Sequence, residues 1–142
     1  MDFDNEMTII FKSKSENESF ARTAVTAFIV GLDPTITEIS DIKTAVSEAV
    51  TNAIIHGYNR GEGKVKLFCG VKDLDIYIEI IDNGCGIDNV DKAREPLYTS
   101  KPHEERSGLG FTVMESFMDN VIVESEIGRG TRVVMKKKLQ SL

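Results

Sequence analysis

Between Asp33-Pro34 and Gly57 the chain runs without an internal glycine or proline, and Ile36, Ile39, Ile42, Val46, Ala49, Val50 and Ala53 recur at the spacing of one helical face. A helix of that length with a single apolar stripe must bury it against a second layer. Residues 64–71 and 74–81 are β-rich runs parted only by Lys72-Asp73, which makes them neighbouring antiparallel strands of a hairpin. The helix itself takes Asp33 as N-cap, Pro34 at the first helical position, an end near His56 and Gly57 as the stop.

The remaining segments fit around this pair. Residues 7–13 alternate well enough for a short strand. Ser15-Glu-Asn-Glu18 has the form of a capping box opening a first helix with Phe20, Ala24, Ala27 and Phe28 on one face and Gly31 as its stop. Helical spacing resumes over residues 108–118, and residues 121–124 and 131–138 read as a closing hairpin around Gly128-Arg129-Gly130. Residues 82–110 are weakly periodic and carry Gly84, Gly86, Gly108 and Gly110; a loop this long in a compact chain is commonly a lid or binding loop.

With 142 residues the chain has the size of one domain, residues 1–142, large enough to form a core without disulfide or metal staples. Its 17 Lys+Arg against 23 Asp+Glu leave −6, a field that repels polyanions and argues against direct nucleic-acid or membrane-surface binding. Cys69 and Cys85 lie in separate segments without CxxC spacing, so two reduced thiols are expected. The start MDFDNEM lacks the order of a signal peptide and no apolar run is long enough to span a bilayer, so a soluble cytoplasmic protein is expected.

Four short constellations carry chemistry. Glu48, Asn52 and His56 stack at i, i+4 and i+8 on the second helix: a neutral Asn oxygen suits a hard cation that already carries phosphate, and a carboxylate one turn away can accept a hydroxyl proton. Asp82-Asn83-Gly84-Cys85-Gly86 follows a strand, where a carboxylate can accept a purine amine and glycines let backbone approach a flat ring. Arg106-Ser107-Gly108-Leu109-Gly110 opens a helix whose free N–H groups suit a phosphate. Gly128-Arg129-Gly130-Thr131 is the fourth. Singly, each has an ordinary explanation: a solvated helix face, an Asp-Gly turn, a helix that begins after glycine, a hairpin turn. A P-loop is absent, because Tyr58 stands where a glycine is needed and Val65 where a Ser or Thr must follow Lys64.

Together and in this order, the four resemble the N, G1, G2 and closing boxes of the GHKL (Bergerat) ATP-binding fold. The segments SENESFAR (15–22), SEAVTNAIIHGY (47–58), EPLYTSKPHEERSGLGF (95–111) and ESFMDNVIVES (115–125) are similar to the serine-kinase anti-sigma factors of sporulation. That resemblance spans nearly the whole chain. It implies an α/β sandwich, a mixed, mainly antiparallel sheet with helices on one face, and ATP with Mg²⁺ between the helices and a flexible lid at about residues 88–107. It further implies Glu48 as general base, Asn52 as Mg²⁺ ligand, Asp82 as adenine reader, Gly84 and Gly86 beside the ring, Ser107, Gly108, Leu109 and Gly110 as phosphate cradle, and Thr131 as adenine support.

Arg106 is either a lid cation that meets developing γ-phosphate charge or a surface arginine, and Lys101 is equally open. Arg22 is a partner contact by resemblance or a solvated residue of the first helix. His56 stays outside the catalytic set as a helix-end residue favoured by the dipole. The resemblance implies phosphorylation of a serine on an anti-anti-sigma protein and sequestration of a sigma factor, as a homodimer. Two other functions remain open: a nucleotide-gated sigma-binding module without kinase activity, and a detached histidine-kinase catalytic domain.

Overall fold

The computed structural model describes residues 2–58, 61–87, 90, 94 and 110–140. The elements with described bounds follow one another as β1 (Asn5–Lys12), α1 (Glu16–Ile29), α2 (Ile36–Asn52), β2 (Lys64–Lys72), β3 (Asp75–Asp82), α3 (Gly110–Phe117), β4 (Asn120–Glu126) and β5 (Gly130–Lys138). The sheet order is β1-β2-β3-β5-β4, and among the described residues every pairing is antiparallel. The expected sandwich is what the chain adopts, with its described strands all antiparallel.

Strand alternation decides which side chains meet the helices. Val65, Leu67, Cys69 and Val71 on β2 stand opposite Asp82, Ile80, Ile78 and Ile76 on β3, and all are buried. Val133 and Met135 of β5 continue this face. Helix α2 covers it with Ile42, Ala45, Val46, Ala49 and Val50, and packs against α1 on one side and α3 on the other. On the opposite face Phe3, Phe68 and Tyr77 form an aromatic cluster, and Arg132 bridges Glu79 and Glu124. No described helix is long and apolar enough to cross a membrane.

Several local expectations are corrected. The buried face of α1 is Ala21, Val25 and Ile29 rather than the stripe through Phe20 and Phe28; Phe20 is 51% exposed and meets Phe11 edge-on. Both stripes have helical spacing, and the sheet selects between them. Ile36 is 88% exposed, so the α2 stripe begins further along. Asp33 does not cap α2. It adopts left-handed backbone (φ 56°) closing a short 3₁₀ turn, Val30–Leu32, and Thr35 is the N-cap. Thr35 has extended backbone and accepts from the Glu38 N–H at 3.1 Å, while Glu38 accepts from the Thr35 N–H at 2.8 Å, a reciprocal capping box. Ser15 sits at the N-cap of α1 in helical backbone (φ −55°, ψ −34°), and its side chain makes no capping bond because that geometry points it away from the N–H groups.

Candidate functional site

Helix α2 ends at Asn52 and passes into a π-helical turn, Ala53–Gly57. A wider ring at this point is a departure from i→i+4 bonding that recurs where helices carry function. Here it brings Gly57 against the end of β3: a Cβ on Gly57 would lie 2.7 Å from both Cγ and Oδ1 of Asp82. The loop after β3 is bonded to the same turn. The Cys85 N–H donates to the Gly57 carbonyl at 2.7 Å, and Gly84 lies so close to that carbonyl that any Cβ would overlap it. Gly86 has φ +80° and abuts the Glu126 carbonyl, so no other residue type is comfortable there.

Asp82 is 5% exposed on the helix-facing side of the sheet. Burial pushes its carboxyl up to about 6, a rise opposed by the N–H groups of Gly84, at 2.9 Å, and Thr131. Thr131 stands directly opposite Asp82 in the β3–β5 ladder. A carboxylate buried at a strand end, with glycine backbone around it, is an acceptor suited to an amine on a flat ring.

At the other end of the π turn, Glu48 and Asn52 lie one turn apart and both face the start of α3. A Cβ on Gly110 would lie 3.1 Å from Asn52 Nδ2, 3.3 Å from Asn52 Oδ1 and 3.5 Å from Glu48 Oε2. The fold thus brings together Glu48, Asn52 and Gly110 as one group, and Asp82, Gly84 and Thr131, with Gly86 on the same loop, as a second. The five residues of the π turn join them. Arg106, Ser107, Gly108, Leu109 and Lys101, with most of residues 88–107, lie outside the described residues. Arg22 sits on α1, with Glu18 at 3.2 Å and Ser19 at 3.4 Å as its partners.

Sequence reasoning overlooked three residues. Tyr58 accepts from the Asn83 N–H at 2.7 Å and donates to the Lys64 carbonyl at 2.6 Å, tying the π turn to β2 and to the glycine loop. Arg94 donates to Glu115 at 2.8 Å and to the Val121 carbonyl at 3.0 Å, fixing a point of the long loop on α3 and β4. Ser125 bonds the Ile87 N–H at 2.7 Å. Each has a partner at least 21 residues away in sequence, which no local pattern marks.

A model of the histidine kinase-like ATPase domain matches residues 11–137. An anti-sigma F factor of Clostridium beijerinckii is 63% identical over 136 residues, covering 95% of each chain. That of Clostridium kluyveri is 59% identical over 140 residues, covering 99% of each. The chain belongs to the anti-sigma F factor family. Among solved structures, the RsbU and RsbW domains of Rv1364c from Mycobacterium tuberculosis match at TM-score 0.71 and 17% identity, over 97% of this chain and 33% of that one. The catalytic domain of the histidine kinase ThkA matches at TM-score 0.59 and 18% identity, over 94% and 96%. At these identities the two structures establish the shared fold alone. Both residue groups lie within the matched histidine kinase-like ATPase domain.

The close approach of Gly84 to Gly57 is directly testable. Gly84→Ala is expected to destabilise the fold by about 1–3 kcal/mol, because neither backbone segment can yield, and to abolish nucleotide binding. Thermal unfolding with and without ATP measures both. An unchanged Tm would mean that the two segments are not in contact.

Proposed function

We propose that this anti-sigma F family member is an ATP- and Mg²⁺-dependent protein serine kinase that also sequesters a sporulation sigma factor. Its substrate is a serine of an anti-anti-sigma protein, and it acts in the cytoplasm as a homodimer. The observation that carries this reading is the placement of Glu48 and Asn52 one helical turn apart against Gly110, with the buried acceptor Asp82 at the far end of the same π turn.

The residues present fit ATP and a divalent cation. Asp82 supplies an acceptor for the adenine amine, and its burial cost is offset when that donor arrives. The Asn52 side-chain oxygen would hold Mg²⁺ as a neutral hard ligand. ATP supplies the γ-phosphoryl group, and Mg²⁺ the charge that offsets its oxygens, when both are bound. Glu48 would orient the partner's serine hydroxyl and take its proton. Ser107, Gly108, Leu109 and Gly110 are the proposed phosphate cradle and Arg106 the proposed lid cation, on the sequence motif. A carboxylate placed one turn from the metal ligand favours a kinase over a pure nucleotide-gated binder, which has no need of a base there. Incubation with labelled ATP and the anti-anti-sigma protein tests the reading, through transfer of label to serine.

The partner surface is proposed to include Arg22, whose charge is already engaged on α1 and away from the nucleotide groups. Arg22→Glu is expected to weaken capture of the sigma factor or the anti-anti-sigma protein about tenfold or more, by like-for-unlike charge reversal, and to leave ATP affinity intact. Unchanged pull-down would return Arg22 to a solvated role, and a loss of ATP affinity would tie α1 to the nucleotide site.

A further inference from the structure

Across one end of the sheet a single row of residues runs from Val65 through Asp82 and Thr131 to Ser125, each directly opposite the next in the strand ladders. Directly opposed residues share a face, so three polar side chains stand side by side on the face that carries the nucleotide-site carboxylate. The Ser125 hydroxyl has three close partners. The Ile87 N–H lies at 2.7 Å, the Gly130 carbonyl at 3.0 Å and Thr131 Oγ1 at 2.8 Å.

A serine hydroxyl has one proton to donate and two lone pairs to accept with. Ile87 can only donate, so it takes one lone pair. The Gly130 carbonyl can only accept, so it takes the proton. The contact with Thr131 is then a hydrogen bond only if Thr131 donates. All three contacts are satisfied in this one arrangement, and it commits the Thr131 proton to Ser125.

We propose that Ser125 is a positioning residue for nucleobase selection: by holding the Thr131 proton it leaves Thr131, like Asp82, able to present only acceptor lone pairs to the base, which favours a 6-amino-purine over a 6-oxo-purine. Through the Ile87 N–H the same hydroxyl ties the loop carrying Gly84 and Gly86 to the β4–β5 hairpin. The inference rests on the nucleotide reading above and adds to it a residue that touches neither base nor phosphate.

The test is titration of ATP and inosine triphosphate, which differ at the purine 6-position, into the parent protein, Ser125→Ala and Ser125→Thr. The parent is expected to prefer ATP. Ser125→Ala frees the Thr131 proton for donation to a 6-oxo group and is expected to lower the ATP-to-ITP affinity ratio about tenfold. Ser125→Thr keeps a hydroxyl on the same carbon and is expected to restore the ratio. A merely structural role would weaken both nucleotides alike and leave the ratio in place. Should the alanine variant not fold by circular dichroism, the isosteric pair Ser125→Thr and Ser125→Val carries the same readout. A ratio that stays at the parental value in the hydroxyl-free variants overturns this inference alone. A parent that binds neither nucleotide overturns the nucleotide reading and this inference with it.

Discussion

Glu48→Gln is expected to lower phosphoryl transfer by about 10²–10⁴, the usual cost of losing a general base, while ATP·Mg²⁺ and sigma-factor binding stay close to the parental values. Glu48 and Asn52 share one face of α2 and both approach Gly110, so a phosphate held by metal on Asn52 and the proposed base Glu48 would meet in the same space. Phosphoryl transfer depends chiefly on positioning and on charge stabilisation, which leaves the base to orient the attacking hydroxyl and remove its proton. Glutamine keeps the size and hydrogen-bonding reach of Glu48 but has no carboxylate to take that proton. A radiolabelled-ATP assay resolves the expected change. A parental rate in the variant would place the base elsewhere. A collapse of ATP affinity would instead move Glu48 into the metal or nucleotide shell.

Asp82→Asn should act in opposite directions on stability and on binding. The Asp82 carboxyl, pushed up to about 6 by burial against an ordinary value of 3.8, holds its proton more tightly in the folded chain than in the unfolded one. Below the unfolded value both states are protonated and the group costs nothing. As pH rises from about 4 to about 6 the unfolded chain ionises first, so stability falls, and above 6 the full cost of roughly 3 kcal/mol is present. Asparagine removes that cost, so the nucleotide-free variant should melt above the parent at pH 7.5, with the gap closing toward pH 4. Its ATP affinity should nevertheless fall by about 1–3 kcal/mol, because the proposed acceptor for the adenine amine is replaced by a group that also presents donors. For the parent protein, ATP affinity should decline as pH drops through about 6 and the carboxylate is protonated. Calorimetry at pH 7.5 and 5.5, with melting curves at the same values, checks all three. A variant that binds ATP as tightly as the parent would remove Asp82 from the site.

The neighbour pairs within the candidate site's described boxes were legible in sequence because each box is short and local. Glu48 and Asn52 need only a helix to be neighbours, and Asp82 and Gly84 only a strand end. What joins them was not legible. Gly57 reads as a helix stop, whereas its position is dictated by the Asp82 carboxylate, 25 residues on, and by the carbonyl it offers to Cys85. Tyr58 and Ser125 are single polar residues that each bond the glycine loop, from 25 and 38 residues away. The hairpins and the α2 stripe were readable because their periods are distinct. Helix α1 was read one residue out of phase, because two apolar stripes satisfy the same spacing and only the sheet chooses between them. At the start of α2, Asp33-Pro34 and Thr35-x-x-Glu38 offer competing caps. The second prevails because Thr35 can adopt the extended backbone that a cap requires.

The central claim is that this ATP site transfers phosphate to a serine of a protein partner. Its most direct measurement is incubation of the purified chain with γ-labelled ATP, Mg²⁺ and the anti-anti-sigma protein, followed by acid and alkali treatment of the labelled product. Label on the partner that survives acid and is released by alkali, as phosphoserine behaves, is the expected result. Label that is lost in acid, as phosphohistidine behaves, or a partner that acquires no label while the chain binds ATP, would contradict the claim.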